Sequence, residues 1–171
     1  VLKNENPWII RHNAIVALGK IASLDAIKDL IEIAEDRSES PYIRTDAIMS
    51  LGQIGAQNPD EVDKIAPALI GVLGDESRLS ILSKSVSERA IEALGKMGNL
   101  VVPYLIQEFK GNQDKDVRKN IVQLLGEIGD KAAIAVLTDA VKNDSDLYVR
   151  SYSVFALTDI VIQHPDIAKE V

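Results

Sequence analysis

The amino-acid sequence predicts an all-α protein built from about four and a half stacked helix pairs. Two observations support this prediction. One phrase recurs five times along the chain, and each copy places apolar residues three or four positions apart, as one face of a helix requires. No stretch alternates apolar and polar residues as a half-buried strand would. The 171 residues are 46% hydrophobic and 26% charged, which is ordinary for a folded domain.

The recurring phrase sets the register of the repeats. Residues 42–55 read YIRTDAIMSLGQIG, residues 86–98 read VSERAIEALGKMG, and residues 117–129 read VRKNIVQLLGEIG. Residues 10–22 and 149–161 are looser copies. The equivalent leucines are separated by 33, 43, 31 and 32 residues. They are Leu18, Leu51, Leu94, Leu125 and Leu157. Five copies at nearly constant spacing indicate a repeat architecture.

Glycines mark two positions in each phrase. The glycine that closes a phrase is placed to end a helix in the left-handed conformation, which a residue without a Cβ adopts at little cost. These closing glycines are Gly55, Gly98 and Gly129. An inner glycine lies about one turn earlier, where its recurrence predicts that a neighbouring helix approaches closely. These inner glycines are Gly19, Gly52, Gly95 and Gly126.

A second amphipathic helix follows each phrase, at residues 26–36, 101–110 and 133–142. One helix pair cannot bury both apolar faces, so neighbouring pairs must stack. We therefore predict one domain over residues 1–171. Its predicted repeats are 7–40, 41–84, 85–114, 115–146 and a partial repeat at 147–171.

The exposed positions of the second helices are the predicted binding surface, because a solenoid uses them to contact its partner. By register they are Asp29, Glu32, Ala68, Val72, Tyr104, Gln107, Lys110, Asp139 and Lys142. Tyr104 is either an interface anchor, since aromatic residues with a polar tip are favoured there, or a partly buried residue packed on its neighbour.

The second repeat is longer than the others, with insertions within residues 56–67 and 74–88. These insertions are either a longer helix with a solvated turn, or a place where a partner is contacted. The exposed strip around Ala68 and Val72 carries no charge, so something must cover it. We expect Leu79, Ile81 and Leu82 of the second insertion to do so, with a partner as the alternative.

Composition argues against several functions. The chain has no Cys and only two histidines, one near each end, and it lacks phosphate-loop and nucleophile motifs. We therefore expect no catalytic residues, no metal site and no cofactor. A net charge of −7 with dispersed basic residues argues against nucleic acid. The longest uncharged apolar run is far shorter than the roughly 20 residues of a bilayer span, and no secretory signal is evident, so we expect a soluble cytoplasmic protein.

The pattern V-R-x-x-A-x-x-A-L-G-x-I-G followed by A-I-x-x-L resembles HEAT-like repeats, particularly the short type found in phycobilisome lyases. The resemblance implies a right-handed α-α superhelix of the HEAT/armadillo kind. It also implies a ladder in which a basic residue of each first helix bonds to an acid in the turn before it. The matching basic residues are Arg11, Arg44, Arg118 and Arg150, and the matching acids are Asp114 and Asp146. Ser87 and Ser83 replace both partners in the third copy, and the first two copies have Pro7 and Ser40 at the acid position, so the ladder is expected to be complete only in the last two repeats.

Two functional hypotheses follow, with a third that the charge disfavours. The leading one is a non-catalytic scaffold that binds another protein or peptide on the concave face formed by the second helices. The alternative, which the resemblance alone implies, is a phycobilisome-lyase-like protein that handles a bilin. The third is a nucleic-acid-binding solenoid. Apolar residues near the ends, namely Trp8, Ile9 and Ile160, also suggest end-to-end self-association.

Overall fold

A computed structural model describes residues 7–167 of the chain, and all regular structure in that range is helical. Residues 1–6 and 168–171, which include the end of the predicted partial repeat, lie outside the described residues. The described α-helices are α1 (Pro7–Lys20), α2 (Ile27–Glu35), α3 (Pro41–Gln57), α4 (Val62–Gly71), α5 (Val86–Met97), α6 (Val102–Gly111), α7 (Lys115–Ile128), α8 (Ile134–Asn143) and α9 (Leu147–Gln163). Short 3₁₀ turns lie at Leu24–Ala26, Pro59–Glu61, Gly98–Val101, Lys131–Ala133 and Pro165–Ile167.

The helices alternate as the repeat register predicts. The first helices are α1, α3, α5, α7 and α9, and each contains one of the five equivalent leucines. Leu51, Leu94 and Leu125 are completely buried. The expectation of an all-α chain is confirmed over the described residues.

Side chains in the turns determine where several helices begin. Asp114 precedes α7, and its carboxylate accepts the backbone N–H groups two and three residues further on. Asp146 does the same for α9. Before α5, the Ser85 hydroxyl accepts the N–H of Glu88 while the Glu88 carboxylate accepts the N–H of Ser85. Such caps satisfy N–H groups that have no partner within the helix.

Contacts between helices group the chain into two units, residues 1–97 and 98–171. In the first unit, α3 packs against α1, α2, α4 and α5, and α4 also packs against α2 and α5. Fully buried residues of its core include Ile48, Leu51, Ile54, Ile65 and Leu69. In the second unit, α9 packs against α7 and α8, and α6 packs against α7. Each unit therefore places first helices directly against one another.

Three of the four inner glycines, Gly19, Gly52 and Gly126, allow neighbouring first helices to approach closely, as predicted, whereas Gly95 is exposed. A Cβ placed on Gly126 of α7 would lie 2.7 Å from the Cα of Ala156 in α9. A Cβ on Gly52 of α3 would lie 2.7 Å from the Cα of Ala93 in α5. Both distances are far below van der Waals contact. The cost of glycine in a helix is therefore offset by tighter packing between neighbouring helices.

The prediction for the closing glycines is confirmed at two positions and wrong at the third. Gly98 and Gly129 adopt left-handed backbone angles, with φ of 58° and 76°. Gly55 remains inside α3, which continues to Gln57 and ends there rather than at the glycine. The residues inserted after Gly55 extend the helix, so the first insertion is a longer helix followed by a 3₁₀ turn.

Replacement of Gly126 by Ala tests the close approach of α7 and α9. We expect Gly126→Ala to lower the free energy of unfolding by about 1–3 kcal/mol, because the new Cβ would overlap the backbone of Ala156. Gly111→Ala, at the last residue of α6, is the matched control, since a Cβ there meets nothing within 4 Å. Urea denaturation of both variants provides the measurement. Equal stability of the two variants would contradict the packing account.

Candidate functional site

A buried arginine links two turns in the first unit. The guanidinium of Arg44, near the start of α3, donates from Nε to the carbonyl oxygen of Ala34 at 2.9 Å. Its Nη1 lies 2.8 Å from Oδ2 of Asp75, in the turn after α4. The latter contact is a close ion pair whose atoms are not aligned as a hydrogen bond. Arg44 thus connects the last helical turn of α2 to the turn that follows α4.

Arg118 forms the same connection in the second unit. Its Nη1 donates to the carbonyl oxygens of Asn112 and Gln113, at 3.3 and 2.8 Å, in the turn before α7. Its Nε and Nη2 donate to the two carboxylate oxygens of Asp144, both at 2.9 Å, in the turn after α8. A planar guanidinium suits this two-pronged pairing better than an ammonium group would. We call these two sets of contacts the arginine seam.

The aspartates of the arginine seam belong to a turn that recurs after each second helix. After each of the four described second helices, a side-chain oxygen accepts the backbone N–H of the residue two positions later, at 2.7–2.9 Å. The accepting residues are Asp36, Asp75, Asn112 and Asp144. This Asx turn fixes the direction of the side chain. The third copy carries neutral Asn112 where Asp would stand, just as Ser87 replaces the arginine in the sequence.

The predicted ladder acids were wrong. Asp114 and Asp146 cap α7 and α9 with their carboxylates, so the acids that bind arginines are Asp75 and Asp144. Arg150 donates instead to the carbonyl oxygen of Asp144 at 2.9 Å. The second copy was expected to lack an acid, yet Arg44 reaches forward to Asp75. The sequence does contain a pattern that marks the acids that bind arginines: an Asp just after the second helix, two residues before a Ser or Asp.

The predicted ladder also lacked an acid in the first copy, but Arg11 pairs with Glu39 at 2.6 Å. This ion pair is more exposed than the arginine seam, since half of the Arg11 side chain is accessible to solvent. It therefore lies at the surface and contributes little to stability by itself.

The electrostatics of the arginine seam favour the charged forms. Burial raises the pKa of Asp144, but hydrogen bonds from the Arg118 guanidinium and the Asp146 backbone N–H outweigh it and hold the pKa below its ordinary value. Burial likewise raises the pKa of Asp75, but hydrogen bonds from Ser77 and the positive charge of Arg44 together lower it further than burial raises it. Because the bonded form is the carboxylate, both residues stabilise the fold only while they are ionised.

One groove lies between the second helices α6 and α8. It has a volume of about 590 Å³ and brings together two predicted site residues, Lys110 and Asp139. Phe109, Val136 and Ala140 form a buried apolar floor. The arginine seam closes one end, since Asn112, Gln113, Arg118 and Asp144 also line the groove. The same contacts that join the turns therefore shape this site.

A similar groove of about 470 Å³ lies between α2 and α4 in the first unit. It contains the predicted residue Glu32, which faces Lys28 at 3.8 Å. On the opposite side, Lys64 pairs with Glu61 at 2.7 Å. Ile31 and two other apolar residues lie between these pairs. This groove also combines an apolar centre with charged edges.

Most of the predicted surface residues are exposed, as their register implies. Those exposed are Asp29, Glu32, Gln107, Lys110, Asp139 and Lys142, while Tyr104 is half-buried. The prediction was wrong for Ala68 and Val72, which are each only 6% exposed. Most of the surface of α4 is covered because it packs against α2, α3 and α5. No exposed apolar strip therefore exists at these two residues.

The expected cover for that strip was also wrong. Leu79, Ile81 and Leu82 are 65%, 89% and 95% exposed. Leu79 and Leu82 line a groove against the first helices α1 and α3 rather than packing on α4. Sequence register did not reveal this groove, because the position of an insertion depends on contacts that have no period.

At the ends, the sequence correctly marked Trp8 and Ile9 as exposed, but Ile160 is buried. The apolar residues that α9 exposes include Phe155 and Ile162 instead. Within residues 7–167, no three His, Asp or Glu side chains lie close enough to hold a metal ion. In the same range, no helix has the length and apolar character needed to cross a bilayer.

The family model described as HEAT repeats matches residues 1–79 and 76–158, which together span most of the chain. The chain belongs to the HEAT-repeat family. The predicted α-solenoid fold class is thereby confirmed, and the paired helices described above are HEAT repeats. The arginine seam, the inner glycines and the grooves are accordingly features of how HEAT repeats join in this chain.

Several proteins are similar to this HEAT-repeat chain. An uncharacterized phycocyanin operon protein Z from Pseudanabaena tenuis is 26% identical over 92% of this chain and 75% of that protein. The complex of CpcE and CpcF of phycocyanin lyase from Nostoc sp. aligns with a TM-score of 0.45 and 21% identity, over 98% of this chain and 71% of that one. Human deoxyhypusine hydroxylase aligns with a TM-score of 0.43 and 19% identity, over 92% of this chain and 70% of that one.

The buried ion pair can be tested by removal of one partner. We expect Asp75→Ala to lower the free energy of unfolding by about 3–5 kcal/mol, because it leaves the guanidinium of Arg44 buried without its counter-ion. Glu76→Ala is the control, since the carboxylate of Glu76 is exposed and pairs with Arg78 at the surface. Its effect should stay within about 0.5 kcal/mol. A small effect of Asp75→Ala in denaturant titration would show that the ion pair does not stabilise the fold.

Acid titration tests the charge state of Asp144. The pKa of this residue is lowered in the folded state, so its contribution is fully present above the unfolded pKa of about 3.8 and is lost as the pH falls through the folded pKa. Asp144→Asn keeps the turn, as Asn112 does, but removes the charge. We expect it to be less stable at pH 7 and to lose less stability on acidification. Parallel stability curves from pH 7 to pH 2 for the two proteins would contradict the assignment.

Proposed function

We propose that this HEAT-repeat chain is a non-catalytic scaffold that binds another protein through a segment lying along its second helices. The observation that carries the proposal is the groove between α6 and α8, in which Lys110 and Asp139 border a buried apolar floor. An apolar centre with a polar rim is the usual anatomy of a protein interface.

The floor of this groove is fixed before a partner arrives. Phe109 is almost fully buried in the second unit, as are Val136 and Ala140, so these residues need not reorder on binding. Small side chains such as Ala135 leave space for the side chains of a partner. A preformed site loses less conformational entropy on association, so its binding free energy is more favourable.

The charged rim of the groove favours one orientation of a bound segment. Lys110 on α6 and Asp139 on α8 carry opposite charges, and the Asn143 amide donates to the Asp139 carboxylate at 2.7 Å. Opposite charges across a groove favour one orientation of a bound segment over the reverse. Tyr104 and Gln107, on the same helix as Lys110, are the proposed continuation of this contact surface.

The second candidate function is the handling of a bilin within the phycobilisome system. It is favoured by the similarity to a protein named for the phycocyanin operon. In this version the scaffold would bind a phycobilisome protein, or the linear tetrapyrrole that such a protein carries. Titration with biliverdin separates the two candidates: a shifted and saturable absorption band would support the bilin function, and an unchanged spectrum would leave the protein-binding scaffold.

Site-specific photo-cross-linking tests the scaffold proposal, because it captures whichever protein lies against the labelled residue. A benzophenone amino acid at Gln107, on the second-helix surface, should yield a cross-linked protein in lysate of the source cells. The control position is Gln123, which is exposed on the first helix α7. We expect Lys110→Glu to reduce the yield at position 107 by about tenfold, as loss of a contact at an interface would.

Equal yields from positions 107 and 123, or no adduct from position 107, would contradict the proposed surface. Lys115→Glu serves as a charge control, because Lys115 is exposed in the same unit but does not line the groove. A loss of yield with this variant equal to that with Lys110→Glu would show that net charge, rather than the groove, governs binding.

A further inference from the structure

We propose that a second groove, on the first-helix side of residues 1–97, binds an acidic peptide segment that carries two large apolar residues. This loop groove is bounded by α1, by the N-terminal half of α3 and by the loop at residues 74–85. It consists of two adjoining pockets of about 530 and 390 Å³, both lined by Tyr42 and Leu79. The proposal concerns a different surface from the second-helix grooves and stands independently of them.

The loop that forms one side of the loop groove is held at both ends. At its start, Asp75 is paired with buried Arg44, and its carbonyl oxygen accepts the N–H of Ser87 at 2.8 Å. The N–H of Val86 donates to the carbonyl oxygen of Ser77 at 2.9 Å, which closes the loop. The Ser80 N–H donates to a serine hydroxyl within the loop. A binding surface on this loop therefore needs little ordering when a ligand arrives.

Exposed apolar residues face into this space. Leu79 lines both pockets, Leu82 lines the second pocket, and Trp8 lines the first. Each of these side chains is at least half exposed to solvent. Exposed apolar residues that cluster around a concavity mark a site of interaction more often than isolated ones do. Two pockets that share a common wall fit two apolar side chains of one segment.

Aromatic rings form the opposite wall of the loop groove. Trp8 of α1 meets Tyr42 of α3 edge to face, with ring centroids 6.0 Å apart. His12 lies over the same tyrosine at 5.2 Å, and its Nδ1 is 2.6 Å from a carboxylate oxygen of Asp46. These contacts position the tyrosine ring between the two pockets. Rigid aromatic side chains of this kind are the usual anchors of binding energy at interfaces.

The charges around the loop groove select the chemistry of the peptide. The cations are the more exposed members of each ion pair: the side chains of Arg11, Lys84 and Arg89 are 50%, 52% and 38% exposed. Their acidic partners Glu39 and Glu92 are 18% and 31% exposed. Lys84 and Arg89 therefore make the second pocket mainly positive against its one lining carboxylate, Asp46, although the whole chain has a net charge of −7. In the first pocket, Arg11 is paired with Glu39, so that end is close to neutral. Charge complementarity therefore favours a segment whose acidic residues lie next to the apolar residue that enters the second pocket.

The experiment uses the single tryptophan of the chain as a local reporter, since Trp8 lines the loop groove. A phage library of random peptides of about 12 residues, which reach about 40 Å when extended, is selected on the full chain. Selected peptides are then synthesised and titrated while Trp8 emission is recorded. We expect acidic peptides with two apolar residues to be enriched, to shift the emission to shorter wavelength, and to bind less tightly as salt rises.

A matched pair of loop variants tests the site. Leu79→Ser should weaken the selected peptides by at least about tenfold, because it removes the wall common to both pockets. Ile81→Ser is the control, because Ile81 is an exposed apolar residue of the same loop but lines neither pocket. The affinity of this variant for the selected peptides should stay within about twofold of that of the parent chain. Both residues are exposed, so neither variant should lose its fold.

Several results would overturn the proposal. Enrichment of basic or neutral peptides would remove the charge argument, and peptides that bind Leu79→Ser as tightly as the parent chain would remove the site. If the emission of Trp8 did not change when the peptide saturates the chain, the peptide would bind elsewhere and the proposed site would be wrong. If biliverdin quenched Trp8 and depended on Leu79 while no peptide did, the occupant would be a tetrapyrrole. If Leu79→Ser abolished a dimer seen in sedimentation, the occupant would be a second copy of the chain.

Discussion

A buried guanidinium that joins two turns is the interaction on which the rest of this structure depends. Each such arginine lies near the start of a first helix. It contacts the end of the preceding second helix or the turn after it, and also the turn after its own second helix. Arg44 connects Ala34 to Asp75, and Arg118 connects Asn112 to Asp144. Isolated buried ion pairs stabilise proteins unreliably, because desolvation opposes the Coulombic attraction. Around Arg118 and Asp144, carbonyl oxygens and the Asx turn supply the additional hydrogen bonds that such a pair requires. In the first unit, Nη2 of Arg44 and Oδ2 of Asp75 are buried without a hydrogen bond, so that pair depends more on its Coulombic attraction.

The arginine seam and the inner glycines join the repeats in two different ways. The glycines set how closely first helices approach, as the contact of Gly126 with Ala156 shows. The seam fixes the turns that follow the second helices, and both candidate surfaces begin at those turns. Arg118 and Asp144 close one end of the groove between α6 and α8, and Asp75 begins the loop beside the loop groove. Contacts that hold the fold therefore also position the residues proposed to bind partners.

The sequence predicted the helix pairs, the equivalent leucines and the close approach at three of the four inner glycines, because these features repeat and therefore reinforce one another. The pairing of the acids could not be predicted in the same way. Asp144 and Asp146 stand two residues apart in one turn, and spacing alone does not show which caps a helix and which binds an arginine. Only the direction of each side chain, which the turn imposes, distinguishes the two roles.

The predictions for the surface of the second repeat were wrong for a different reason. Register placed Ala68 and Val72 on an exposed face, but α4 packs against α2, α3 and α5, and both residues are buried. The loop at residues 74–85 has no counterpart in the other repeats, so no periodic pattern could place Leu79 beside Tyr42. The predicted residues Lys110 and Asp139, by contrast, do share one groove, since both lie on regular second helices.

A double-mutant cycle on Arg118 and Asp144 tests the central claim most directly. Arg118→Met, Asp144→Asn and the combined variant retain the length of the side chain and the geometry of the turn, so the cycle isolates the charge pairing. The account predicts a coupling free energy of at least about 1.5 kcal/mol in denaturant titration, since the pair is buried and doubly hydrogen-bonded. Single effects that add to within about 0.5 kcal/mol would show that the arginine seam does not join these repeats.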